Sequence, residues 1–161
     1  MNYTQLNTEC QCYFDLIKLI HSPNTFWFET HGFTVTKVPE HIYTKDPLIL
    51  ALVKEFQADP VILRMDAMIF YRFHTDAFRQ ATVNMLLEGW DSHCYYGQQT
   101  TSEELMKLTE LVYEPKKLYL LNTQLLHAVL NKSQPRYIFS MGINQPYSYT
   151  QVKQYINDHQ L

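Results

Sequence analysis

Glycine and cysteine are scarce in this sequence, and it has neither a long apolar run nor an excess of one charge. Only 4 of its 161 residues are glycine, whereas 12 are tyrosine and 9 are phenylalanine. This composition excludes collagen-like, low-complexity and disordered chains, because it holds enough large apolar side chains to form a core. The length suits one compact domain. We therefore predict a single domain over residues 1–161.

The charge balance and the short apolar runs bear on partners and location. The formal net charge is −3, and no cluster of lysine and arginine gives the footprint expected of a protein that binds nucleic acid or an anionic membrane. The longest apolar run, residues 47–53, is far shorter than the roughly 20 residues that cross a bilayer. The N-terminus also lacks a signal-peptide pattern. We expect a cytoplasmic protein with no nucleic-acid or membrane partner.

The three cysteines, Cys10, Cys12 and Cys94, are an odd number. The Cys10-x-Cys12 pair has neither the spacing of a zinc finger nor a second matching pair elsewhere in the chain. We expect three reduced thiols, as is usual in the cytoplasm.

Residues 1–60 are predicted to form a helical front. Apolar residues at near-helical spacing predict a first helix over residues 9–21. Asp46 followed by Pro47 provides an N-cap and a first-turn proline for a second helix that ends near residue 59. Two short strands are predicted between the helices, over residues 26–28 and 33–38.

Residues 61–144 are predicted to form an all-β core. Short runs rich in β-branched and aromatic residues, separated by turn residues, are typical of a barrel or sandwich. The predicted strands cover residues 61–73, 80–87, 93–97, 117–121, 128–130 and 136–143. A capping box at residues 101–104, followed by Leu105, Leu108 and Leu111, predicts one interrupting helix. The remaining residues, 145–161, are predicted to close the chain with a helix over residues 149–158.

The strand at residues 136–144 has two chemically different faces. Side chains alternate along a strand, so one face is bulky and apolar: Tyr137, Phe139, Met141 and Ile143. The other face carries small and polar groups and begins with Arg136. A buried guanidinium without a partner loses several kcal/mol of hydration. We therefore expect one face to pack in the core and the other to line a cavity where Arg136 meets an anion.

A candidate metal site follows from His74-Thr75-Asp76 and the later His127. In an extended segment the side chains of residues 74 and 76 point to the same side, so an imidazole and a carboxylate can reach one ion. An antiparallel barrel can bring His127 back opposite them. Two histidines and one carboxylate that leave coordination positions open are diagnostic of non-haem Fe(II) oxygenases.

On these residues the chain resembles the Fe(II)- and 2-oxoglutarate-dependent dioxygenases. The resemblance covers roughly residues 61–144 and is carried by His74-Thr75-Asp76, by the segment that begins at His127, and by Arg136, nine residues further on. It implies a mainly β fold, a double-stranded β-helix (a jelly-roll or cupin-like barrel) with N-terminal helices on its outer face and a C-terminal helix. It also implies that His74, Asp76 and His127 bind Fe(II) and that Arg136 binds the 5-carboxylate of 2-oxoglutarate, as the bidentate fork of arginine suits.

Some details depart from the family pattern. The family often has a serine two residues after this arginine, where the chain has Ile138; Ser140 lies two residues further, on the same strand face. Arg79 is an alternative anchor for 2-oxoglutarate or a substrate-binding group. Three polar residues near the ligand segments fit a structural role as readily as a functional one: Tyr71, Asn84 and Asn122.

The implied reaction consumes O₂, decarboxylates 2-oxoglutarate to succinate and hydroxylates a substrate. A small molecule or a peptide side chain is expected, with substrate loops at residues 26–45 and 90–111. Two other classes remain open: a cupin-type metal protein with chemistry independent of 2-oxoglutarate, and a barrel without catalysis that acts as a binding module. The sequence leaves the substrate and the oligomeric state undetermined.

Overall fold

The computed structural model describes residues 2–30, 32–99 and 106–159, with the side chain of residue 99 left out. The elements found there are β1 (Tyr3–Glu9), α1 (Tyr13–His21), β2 (Phe28–Thr30), β3 (Phe33–Lys37), α2 (Glu40–Tyr43), α3 (Pro47–Phe56), β4 (Asp59–Met65), β5 (Phe70–His74), β6 (Arg79–Glu88), β7 (Ser92–Gln99), β8 (Met106–Leu111), β9 (Lys117–Asn122), β10 (His127–Asn131), β11 (Arg136–Asn144) and α4 (Tyr149–Asp158). No helix in these described stretches is both long and apolar enough to cross a membrane.

The strands form two antiparallel sheets. The larger sheet has the order β1-β9-β6-β11-β4-β3-β2, and the smaller one has the order β5-β10-β7-β8. Strands that are distant in sequence are neighbours in both sheets, as in a jelly roll. The predicted double-stranded β-helix with flanking helices is therefore confirmed.

The main core lies between the larger sheet and the helices on its outer face. Phe139, Met141 and Ile143 of β11 pack there with apolar residues of α1, α3 and α4. The alternate residues of β11, Arg136, Ile138 and Ser140, line a cavity on the opposite side of the sheet. The predicted division of this strand into a packing face and a cavity face is confirmed, because alternation along a strand separates the two sets.

Two helix starts follow their local sequence signals. The Asp46 carboxylate accepts a hydrogen bond of 3.0 Å from the amide of Ile49 at the start of α3, where Pro47 is the first residue. Ser148 and Gln151 form a reciprocal capping box at the start of α4. The predicted helices that begin at these caps are both present.

The structure corrects the predicted helix after residue 101. Its capping box and Leu105 lie outside the described residues, and Leu108 and Leu111 belong to strand β8, which pairs with β7. The three-residue spacing of the leucines indicated a helix, but the pairing edge that β7 offers decided for a strand. Local propensity is a weak signal where tertiary pairing is available.

Other boundaries also differ from the prediction. The first helix begins at Tyr13 rather than at residue 9, because residues 3–9 form β1 and pair with β9. The helical front predicted over residues 1–60 thus also contributes β1, β2 and β3 to the larger sheet. The strand predicted over residues 61–73 divides into β4 and β5 around Met68, whose φ is +63° and whose amide donates to the Lys132 carbonyl at 2.7 Å.

Glycine is required at residue 89, just after β6. Its φ is +87°, and a methyl group there would lie 2.6 Å from the Cα of Arg136 and 2.7 Å from the carbonyl oxygen of Pro135. The absence of a side chain allows the β6 end to approach the start of β11 and so places Arg136.

We expect Gly89→Ala to lower the free energy of unfolding by on the order of 2–3 kcal/mol, since it adds backbone strain and a clash. Gly32→Ala is the matched control, because Gly32 has a φ of +80° but, apart from its chain neighbours, no described residue lies within 4 Å of the position that a methyl group would occupy. It should cost only about 1 kcal/mol. Urea denaturation followed by circular dichroism measures both, and equal losses would contradict the close-approach argument.

Candidate metal centre and adjoining cavity

His74, Asp76 and His127 converge at one edge of the smaller sheet. His74 ends β5 and His127 begins β10, and the two residues are directly paired across these antiparallel strands. Their ring centroids are 4.3 Å apart. Oδ1 of Asp76 lies 3.4 Å from Nε2 of His74 and 4.0 Å from Nε2 of His127. Each residue therefore offers one donor atom to a common point, and all three atoms lie within 4.8 Å of one another.

Both imidazoles are oriented by backbone carbonyls. Nδ1 of His74 lies 2.7 Å from the carbonyl oxygen of Arg72, and Nδ1 of His127 lies 2.8 Å from that of Leu125. A carbonyl can only accept, so each Nδ1 carries the proton and each Nε2 keeps its lone pair in the neutral ring. Burial lowers the pKa of His127 because it disfavours the charged imidazolium. The His127 ring is therefore neutral at neutral pH, as a metal ligand must be.

Asp76 is held from two sides. Its amide donates to the carbonyl of Thr123 at 2.9 Å, and its Oδ2 accepts a hydrogen bond of 2.6 Å from Nε of Arg79. Oδ1 is the carboxylate oxygen that faces the two histidines. The pattern of an outer hydrogen-bond partner for each donor side chain is typical of metal sites.

A cavity of about 320 Å³ lies between the two sheets and includes His74 and His127 in its wall. Residues of both sheets form the rest of that wall, and seven of them are apolar: Phe33, Val35, Leu63, Met65, Leu121, Val129 and Ile138. The polar and ionisable residues of the wall are Thr30, Tyr71, His74, Arg79, Thr82, Asn84, Cys94, Tyr113, Thr123, His127, Arg136 and Ser140. A cavity that combines apolar side chains with polar groups pointing to one space is typical of a small-molecule site.

Arg136 lies in this cavity without a carboxylate partner among the described residues. Its side chain is buried, with the residue 4% exposed, and its Nε has no hydrogen-bond partner in the described part of the chain. The arginine ion pairs in the described part of the chain are Arg64–Asp66 and Arg79–Asp76, so no described carboxylate lies within 4.0 Å of Arg136. A buried guanidinium that has lost its hydration and has no carboxylate partner favours the binding of an anionic ligand.

Two neighbours of Arg136 are neutral rather than anionic. Burial raises the pKa of the Cys94 thiol and that of the Tyr113 phenol, mainly because it disfavours their charged forms. Tyr113 places its ring 5.7 Å from the guanidinium carbon of Arg136. Tyr113 was not among the residues predicted from the sequence, because it lies in the loop between β8 and β9 and belongs to no motif.

The other residues singled out from the sequence divide into two groups. Ser140 lines the cavity beside Ile138, and its hydroxyl lies 3.1 Å from that of Thr82. Tyr71 and Asn84 also line the cavity. Asn122 is not part of the cavity wall. Its side-chain oxygen accepts a hydrogen bond from the amide of Gln124 at 3.1 Å. This last hydrogen bond gives Asn122 a structural role.

A second group of donor atoms, Cys10, Cys12 and Asp46, is fully buried near the start of α1. Here the two oxygens of Asp46 accept hydrogen bonds from the amides of Gln11 and Ile49, at 2.8 and 3.0 Å. Asp46 is thus an N-cap that ties two chain segments together. All three cysteines of the chain are free and buried.

Comparison with known proteins identifies the fold. No protein-family model and no curated protein sequence matches the chain. Among solved structures, a prolyl-4-hydroxylase from Pseudomonas putida has a TM-score of 0.63 at 10% identity, over 91% of this chain and 94% of that one. An oxidoreductase of the 2OG-Fe(II) oxygenase family from Burkholderia pseudomallei has a TM-score of 0.62 at 12% identity, covering 93% and 87%.

A third similar structure is HygX from Streptomyces hygroscopicus, solved with nickel, 2-oxoglutarate and hygromycin B bound. Its TM-score is 0.61 at 9% identity, over 91% of this chain and 84% of that one. The chain therefore has the fold of the Fe(II)- and 2-oxoglutarate-dependent oxygenases. At these identities the comparison concerns the fold alone.

Proposed function

We propose that the protein is an Fe(II)- and 2-oxoglutarate-dependent oxygenase. It couples the oxidative decarboxylation of 2-oxoglutarate to the hydroxylation of a small molecule or a peptide side chain. The observation that carries the proposal is the convergence of His74, Asp76 and His127 on one point at a cavity that also contains Arg136, which has no carboxylate partner among the described residues. Free, buried cysteines fit the cytoplasm as its compartment.

The donor set suits Fe(II). Two imidazoles and one carboxylate match the ligand type of non-haem iron oxygenases and leave coordination positions for other ligands. Bound Fe(II) would supply the activation of O₂, which protein side chains cannot perform. The residues of this chain contribute by holding the ligands: the Arg72 and Leu125 carbonyls keep the Nε2 lone pairs of the histidines available.

Arg136 is assigned to the far carboxylate of 2-oxoglutarate. Its guanidinium is buried and has no carboxylate partner among the described residues, whereas Nε of Arg79 already donates to Asp76 at 2.6 Å. An anion at Arg136 would also gain a bidentate hydrogen-bond partner at a buried position, where charge-assisted bonds are strong. This difference favours Arg136 over Arg79 as the anchor.

The first test is spectroscopic. Under anaerobic conditions, addition of Fe(II) and 2-oxoglutarate to the purified protein should produce the weak visible charge-transfer band of the iron chelate. In air, the same mixture should form succinate in proportion to the enzyme present. Metal binding without an effect of 2-oxoglutarate would instead support a cupin-type protein with other chemistry. Folded protein that binds neither would support a non-catalytic binding module.

The second step is to find the substrate. Succinate formation measured with a panel of amino acids, peptides and other small metabolites should rise above the basal rate only when a compound reaches the cavity and is oxidised. Detection of the hydroxylated product by mass spectrometry then identifies the reaction.

A further inference from the structure

Arg79 contacts the carboxylate oxygen that does not face the histidines. Its Nε donates to Oδ2 of Asp76 at 2.6 Å, while Oδ1 of the same carboxylate lies 3.4 and 4.0 Å from the Nε2 atoms of His74 and His127. The two oxygens thus have different partners. A carboxylate whose second oxygen accepts a short charge-assisted hydrogen bond has one oxygen left for a metal.

The backbone around Arg79 is fixed by several contacts. Its carbonyl accepts hydrogen bonds from the hydroxyl of Thr123 at 2.6 Å and from the side-chain amide of Gln124 at 2.9 Å. The same amide of Gln124 also donates to the carbonyl of Asp76 at 2.8 Å. One side chain therefore holds the backbone at both ends of the segment from Asp76 to Arg79.

The side chain of Arg79 is guided by Gly142 of β11. A methyl group at Gly142 would lie 2.7 Å from Cδ of Arg79, so the arginine stem crosses the strand where there is no side chain. The side chain of Arg79 remains 36% exposed, and that of Asp76 is 12% exposed. The guanidinium therefore approaches Asp76 along a defined path.

We propose that Arg79 is a positioning residue that keeps Asp76 monodentate toward the metal and so preserves coordination positions for the co-substrate. The inference rests on the proposed function. Without Arg79, Oδ2 is free to turn toward the metal, and a carboxylate that chelates through both oxygens takes a position that a bidentate ligand needs. Loss of Arg79 then weakens the binding of any chelating co-substrate, whereas the metal itself keeps all three protein ligands.

The proposed role differs from the alternative in which Arg79 binds the far carboxylate of 2-oxoglutarate. Oxalate chelates a metal as 2-oxoglutarate does but has no far carboxylate. A positioning role for Arg79 predicts equal weakening of both chelators, whereas an anchoring role predicts weakening of 2-oxoglutarate alone.

The test uses the Co(II)-loaded protein under anaerobic conditions. Titration with Co(II), followed by its visible absorption, gives the metal affinity and reports the coordination number; titration of the loaded protein with 2-oxoglutarate or oxalate gives the chelator affinities. For Arg79→Met we expect Co(II) to bind at least as tightly as in the wild type, and both chelators to bind about tenfold more weakly. Arg79→Lys should recover part of the loss, since an ammonium group can also bind Oδ2.

Arg64→Met is the matched control, because Arg64 pairs with Asp66 and does not line the cavity. It should leave all three affinities unchanged. Unchanged chelator affinities in Arg79→Met would overturn the proposal, as would a loss confined to 2-oxoglutarate or a loss of Co(II) binding. Failure of the wild-type protein to bind Co(II) would instead contradict the proposed function.

Discussion

Asp76→Ala should abolish Fe(II)-dependent formation of succinate and weaken metal binding by more than about 100-fold, because the loss of a direct ligand exceeds the roughly 10- to 100-fold loss of affinity or activity that is typical when a residue outside the ligand set is replaced. The substitution removes the one carboxylate of the group and leaves the two imidazoles. It also leaves the guanidinium of Arg79, which pairs with Asp76 at 2.6 Å, as an uncompensated cation beside the site. The lost carboxylate and the uncompensated charge of Arg79 both weaken the binding of a divalent cation.

The measurement combines metal titration with succinate assays at limiting and saturating iron. Asp59→Ala is a suitable control, because Asp59 is an exposed aspartate paired with Lys37 at 2.9 Å. It should retain wild-type metal affinity. Thermal unfolding of both variants checks that they are folded. Full activity of Asp76→Ala under iron-limited conditions would refute the assignment of the three ligands.

Arg136→Met should weaken 2-oxoglutarate binding to the metal-loaded protein by about 100-fold, which corresponds to about 2.7 kcal/mol and lies within the range for hydrogen bonds to charged groups. Metal affinity and oxalate binding should change little, because neither involves the far carboxylate. Arg136→Lys should recover part of the affinity through its charge but not the bidentate geometry.

The same variant separates a ligand-binding role from a structural one. Arg136 is 4% exposed and has no described carboxylate partner, so its replacement by an apolar side chain removes a costly buried charge. We expect the unliganded Arg136→Met protein to be at least as stable as the wild type in urea denaturation. Arg64→Met, on the same sheet but outside the cavity wall, is again the control. Wild-type 2-oxoglutarate affinity in Arg136→Met would exclude Arg136 as the anchor.

Comparison of Arg136 with Tyr113 illustrates how far the sequence could indicate the site. Alternation along the strand at residues 136–144 assigns Arg136 to the cavity face, so its burial as a charged group could be inferred from the sequence. Tyr113 has no such pattern: it follows β8 in a loop, and its proximity to Arg136 depends on how β8, β9 and β11 are arranged. The sequence therefore indicated the charge in the cavity but not the ring beside it.

The helices and strands also differ in how far the local sequence could predict them. The caps at Asp46 and Ser148 act within one helical turn, so the start of α3 and α4 could be predicted locally. Strand β1 has its partner, β9, more than a hundred residues away, and β8 exists because β7 offers a pairing edge. A local pattern does not name the distant strand with which a segment pairs, so neither β1 nor β8 could be placed in its sheet from its own residues.

The order of residues along the chain indicated which chemical groups the candidate site could hold: two histidines, one aspartate and one arginine. Alternation placed His74 and Asp76 on one side of their segment and Arg136 on one face of its strand. The folded chain was needed to show that His74 and His127 are paired across β5 and β10, and that Arg79 contacts Asp76 while Arg136 stays without a described counterion. The physical reason is that alternation depends on the backbone of one strand, whereas a metal site depends on distances between strands that the chain brings together only on folding.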